Sequence, residues 1–60
     1  MDSKTKKAIE KYGRENCVQA YASYQEGNGA GTIGCDLGLK TNQADAAINA
    51  GRKISESTKV

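Results

Sequence analysis

The chain has very little bulk from which to build a core. Its large aliphatic residues are Met1, Ile9, Val18, Ile33, Leu37, Leu39, Ile48, Ile54 and Val60, and its only aromatics are Tyr12, Tyr21 and Tyr24. Phe, Trp and Pro are missing, and eight alanines and two cysteines complete the apolar set. Small side chains let backbones approach closely. This mixture therefore suits short, tightly packed helices and not a sheet, which draws on β-branched and aromatic residues. Sixty residues make one domain, 1–60, and a chain this size buries only about 60% of its unfolded surface, so its stability is marginal.

The apolar spacing predicts four helices. Ala8, Ile9 and Tyr12 share one face of a helix over Ser3–Tyr12, and Gly13 is its stop. A second helix runs from about Arg14 to Glu26, with Cys17, Val18, Ala20, Tyr21 and Tyr24 as its apolar stripe. "EGNGAG" follows as a loop, with Asn28 offered as the cap of the next helix. Helix three spans Ala30–Leu37 and tolerates two internal glycines, Gly31 and Gly34. Each costs about 1 kcal/mol against alanine, which suggests another backbone pressed against Gly34. Gly38 ends this helix where φ > 0 is wanted. Lys40 or Thr41 opens helix four, with Ala44, Ala47 and Ile48 on its core side. It runs to about Ala50, where Gly51 reads as a C-terminal cap and Arg52 and Lys53 as charges favoured by the helix dipole. The tail from Lys53 to Val60 reads as a short edge strand or as disordered.

Several functions are disfavoured. Cys17 and Cys35 are not in a C-x-x-C pair and there is no histidine, so a zinc site is not expected and the two thiols read as small buried hydrophobes. No nucleophile–base pair or cofactor motif is visible, so no enzyme and no cofactor are expected. "MDSKTKK" has no apolar core behind its lysines and no apolar run reaches the roughly 20 residues of a bilayer span. The reading is a cytoplasmic protein without a membrane partner. The net charge of +2 is modest, but Lys4, Lys6, Lys7, Lys11 and Arg14 crowd the first quarter. That run reads as a solvated face or as part of a binding surface.

Helices three and four carry the functional signal. With Ala30 as first position, Gly34 falls where two steeply crossing helices need a tiny side chain, and Gly38 falls at the tight turn. Ile33, Leu37, Leu39, Ala44 and Ala47 or Ile48 fill the apolar positions. This is the spacing of a helix-turn-helix. Beyond the spacing, "DLGLKTNQADAAINAGRKI" resembles the turn and recognition helix of the Cro repressors of lambdoid bacteriophages. The shared elements are Asp36-Leu37-Gly38, Ala47-Ile48 and Ala50 to Ile54, in register. The resemblance covers about half the chain and is specific from Asp36 to Ile54.

The resemblance implies a small phage repressor, in the cytoplasm of a bacterial host, that lays helix four, about 41–50, in the major groove of an operator half-site. Its partners would be double-stranded DNA and a second copy on a palindromic operator. The lambda-type pattern continues after "GRKI" into β-strands that form the dimer interface, whereas only Ser55 to Val60 follow here, so the expectation is either a largely helical protein that dimerises differently or a weak dimer or monomer. It also has an amide at the Asp45 position and a lysine at the Ala46 position, so base preferences do not carry over intact.

On helix four the outward residues are Thr41, Asn42, Asp45, Ala46 and Asn49. Asn42 suits a bidentate pair with adenine, and Ala46 a thymine methyl. Asp45 suits cytosine N4, or else stands as an acid favoured by the helix dipole. Phosphate contacts are expected from Gly31 and Thr32 at the start of helix three and from Lys40, Arg52 and Lys53. The alternatives are an architectural, excisionase-like DNA binder and a helix-turn-helix turned to binding another protein.

Overall fold

The computed structural model describes residues 3–58 and contains four helices in chain order: α1 Ser3–Tyr12, α2 Arg14–Gln25, α3 Ala30–Leu37 and α4 Thr41–Thr58. Met1, Asp2, Lys59 and Val60 lie outside the described residues, and with them the apolar roles expected of Met1 and Val60. The expected all-α domain of four helices is what is found.

Local chemistry ends each of the first three helices. Gly13 takes φ 90° and donates its N–H to the Ile9 carbonyl at 2.9 Å, closing α1. At the end of α2, Gly27 takes φ 105° and donates to the Tyr24 carbonyl, while the Asn28 N–H reaches the Ser23 carbonyl at 3.1 Å. These two bonds are those of a Schellman motif. The Asn28 side chain also donates to the Ser23 carbonyl, at 3.2 Å. Asn28 therefore closes α2 and does not cap α3, whose N-cap is Gly29 with no side-chain cap bond. A second Schellman pair closes α3, with the Leu39 N–H on the Gly34 carbonyl at 2.6 Å and the Gly38 N–H on the Cys35 carbonyl. Gly38 sits at φ 71°, the left-handed conformation the turn demands. At the start of α4, the Gln43 side chain accepts from the Lys40 N–H at 3.0 Å, and the Lys40 carbonyl accepts the first helical bond, from the Ala44 N–H. Lys40 is thus the N-cap, with Gln43 reaching back as in half of a capping box.

The packing is organised around α4, which touches all three other helices. Its buried residues Ala44, Ala47, Ile48, Ala50 and Ile54 meet Ala8, Cys17, Ala20 and Ile33. Leu37, Leu39, Tyr12, Tyr21 and Ile9 pack around this cluster. Two close backbone approaches set the geometry. A Cβ on Gly34 would stand 2.6 Å from the Leu39 carbonyl oxygen, so the crossing of α3 with the turn tolerates no side chain. A Cβ on Gly51 would collide with the Cys17 carbonyl and approach Tyr21 Cβ to 2.7 Å.

Three sequence expectations are corrected here. Gly51 is not a cap. It is a buried residue in the interior of α4, present because α2 lies against it. Residues 53–58 are neither edge strand nor disordered, because Ile54 continues the apolar row of Ala47 and Ala50 and is itself buried, which carries the helix on to Thr58. On α2, Cys17 and Ala20 are buried, but Val18 and Tyr24 are 42% and 54% exposed and lie outside the stripe drawn through them. Cys35 is likewise exposed, whereas Cys17 is fully buried with its Sγ 3.8 Å from the Ala8 carbonyl.

Candidate nucleic-acid interface

At about 1.5 Å per residue, the 18 residues of α4 extend roughly 27 Å, nearly the 30 Å long axis of the molecule. One side of this helix is spent on the core, and the other crosses the whole protein. Thr41, Asn42, Asp45 and Asn49 are all exposed on that outer side, and Arg52 and Lys53 continue it. The expected base-reading residues therefore share one polar strip, apart from Ala46, which is half-buried on the flank facing α1.

The expected phosphate contacts fall at both ends of the strip. Gly31 and Thr32 are exposed at the start of α3, and a Cβ on Gly31 would come within 4.0 Å of Thr41 Oγ1, so the α3 N-terminus stands beside the first turn of α4. Lys40 is exposed at the same end. Arg52 and Lys53 stand at the other. Because α4 continues past them to Thr58, they are mid-helix cations and not the terminal charges the dipole would favour.

The structure adds residues that the sequence left unassigned. Lys4, Lys7 and Lys11 form a row along α1, at the three- and four-residue spacing that puts side chains on one helix face. That row borders α4. One depression of about 320 Å³ is lined by Lys4, Thr5, Ala46, Asn49, Ala50, Arg52 and Lys53. A neighbouring one of about 340 Å³ is lined by Lys4, Lys7, Ala8, Lys11, Tyr12 and Ala46. They share Lys4 and Ala46, so they form one groove between α1 and α4. Lys11 also leans on the Tyr12 ring, with Nζ 5.6 Å from its centroid. The lysine spacing was visible in the sequence. What was not visible was that this row borders Ala46 of α4 and that Lys4, at its start, shares a depression with Asn49 and Lys53, because that depends on how α1 docks.

Among the described residues no group of three or more His, Cys, Asp or Glu side chains gathers as metal ligands, and no helix is long and apolar enough to cross a membrane. No protein-family model, curated protein or solved structure matches this chain.

Proposed function

We propose that the protein is a sequence-specific, DNA-binding transcriptional repressor of the Cro type, which lays α4 in the major groove of an operator half-site. The observation that carries this reading is the exposed polar strip on α4, with cations or helix-start amides at both ends and a glycine-turn helix packed behind it. An α-helix fits the major groove, and side chains in its first turns meet base edges. In this reading Asn42 pairs with adenine and Asp45 accepts from cytosine N4, with Thr41 and Asn49 beside them. Gly31, Thr32, Lys40, Arg52 and Lys53 hold phosphates and set the register. Where the Cro pattern has a lysine at the Ala46 position, this chain has alanine, with Lys4 and Lys7 alongside on α1. Residues 55–58, which follow the stretch that resembles the lambda type, continue α4 and do not form a β-strand.

Binding-site selection from a random duplex pool, followed by anisotropy titrations at rising salt, tests the proposal. A selected palindrome, bound by a species of twice the protomer mass, supports it. Affinity on that duplex should fall steeply, with a slope of about −0.9 in log K against log salt per neutralised phosphate. Arg52→Ala and Lys53→Ala should each flatten that slope by up to about one unit and weaken all sequences alike. DNA bending with little sequence preference would favour an architectural binder, and no binding at low salt would favour a protein partner.

A further inference from the structure

The groove between α1 and α4 borders the base-reading strip at Asn49, and on its α1 side it concentrates positive charge that the strip does not use. Lys4, Lys7 and Lys11 line its α1 side, and Asn49, Arg52 and Lys53 line the α4 side only of the depression they share with Lys4. Between them the lining is small: Ala8, Ala46 and Ala50. Small residues beside the lysine row leave room for a polyanion to lie lengthwise, with the lysine stems against the apolar floor and the ammonium groups at the rim. From Lys4 to Lys11 the helix rises roughly 10 Å at about 1.5 Å per residue. One DNA strand carries a phosphate about every 3.4 Å of axis. The row is therefore long enough to meet more than one phosphate of a strand.

We propose that the α1 side of this groove is a further, sequence-independent site for the phosphodiester backbone of one duplex strand, extending the phosphate contacts of Arg52 and Lys53 beside the major groove that α4 enters. This inference rests on the DNA-binding reading above and extends it to α1. Lysine is suited to the task, since an ammonium meets phosphate oxygens as a compact charge without demanding a particular base. The site supplies affinity and fixes the tilt of α4, and it leaves base selection to Asn42 and Asp45.

Position has to be separated from net charge, and α1 provides an internal control. Lys6 is exposed, like Lys7, but it lines neither depression and lies two residues from Lys4, off the face of the row. Lys7→Gln and Lys6→Gln remove the same charge from neighbouring surface positions. On the selected duplex, Lys7→Gln should flatten the salt slope by about 0.9 units and leave the selected sequence unchanged, while Lys6→Gln should leave the slope near that of the wild type. Ala46→Leu, which fills the floor without changing charge, should weaken every duplex. Amide shifts during titration with a selected and an unrelated duplex give the second readout. Shifts along Lys4–Lys11 with both duplexes are expected. Equal slopes for Lys7→Gln and Lys6→Gln, with α4 shifted and α1 silent, would overturn the groove site while leaving the repressor reading intact. Groove shifts with every duplex and no sequence selection would keep the groove site and overturn the repressor. No shifts with any duplex would overturn both.

Discussion

At Gly51 a single hydrogen atom decides how closely two helices meet. Glycine inside a helix usually costs about 1 kcal/mol against alanine, so Gly51→Ala would ordinarily stabilise the protein. Here the added methyl would strike the Cys17 carbonyl and crowd Tyr21. Backbone cannot swing aside as a side chain can, so α2 must shift, and overpacking of this kind costs typically 1–3 kcal/mol. The expected net effect in urea unfolding is a loss of about 1 kcal/mol, and a gain in stability would mean that α2 does not press on α4 there. The sequence alone pointed elsewhere. Gly-Arg-Lys after an apolar run looks like a cap with favourable charges, because the partner that explains the glycine comes from a distant part of the chain. The cysteines teach a related lesson. Helical spacing put both on apolar sides, but only Cys17 is covered, because Cys35 points away from the face of α3 that carries Ala30, Ile33 and Leu37. Burial pushes the Cys17 thiol above its ordinary pKa, since desolvation disfavours the thiolate. The neutral buried thiol thus contributes stability that is fully present below the pKa of an unfolded cysteine, about 8.5, and is lost as pH rises through the higher folded value. Urea midpoints at about pH 7 and about pH 10 should fall further for the wild type than for Cys17→Ala. Equal falls would place the thiol in water.

Among the elements, the first three helices were legible to within a residue because each stops at a glycine of positive φ: Gly13, Gly27 and Gly38. Those stops are local, and local chemistry is what a sequence displays. The end of α4 was not legible in the same way. Ser55 to Thr58 are polar and carry no amphipathic period, which looks like a tail. The signal that reveals the longer helix is the row Ala47, Ala50, Gly51 and Ile54, at spacings of three and four, which runs straight through the supposed cap. Ile54 is only 3% exposed. Ile54→Ala should therefore cost about 2–5 kcal/mol, as for other large-to-alanine changes in a core, measured by thermal or urea unfolding. A change of only a few tenths would return the last turn to a frayed tail and shorten α4 toward Ala50.

For the whole molecule, the helix that holds the core together is also the one that offers the polar strip. With the glycine approach at Gly51 on its inner side and Asn42, Asp45 and Asn49 on its outer side, α4 has no face left unused. The outer residues were legible from helical period once the core side was known. The α1 lysine row beside them was not, since docking of α1 is a property of the assembled fold. The central claim is that α4 reads bases through Asn42 and Asp45, and parallel binding-site selections with wild type, Asn42→Ala and Asp45→Asn test it most directly. Asn42→Ala should lose roughly 1–3 kcal/mol on the best site and relax preference at one base pair. Asp45→Asn removes a charge that phosphates repel and turns a pure acceptor into a group that also donates. Its non-specific affinity should rise, and its preferred base at one position should change. Identical selected sites from all three proteins would contradict the account, because α4 would then not be reading the DNA.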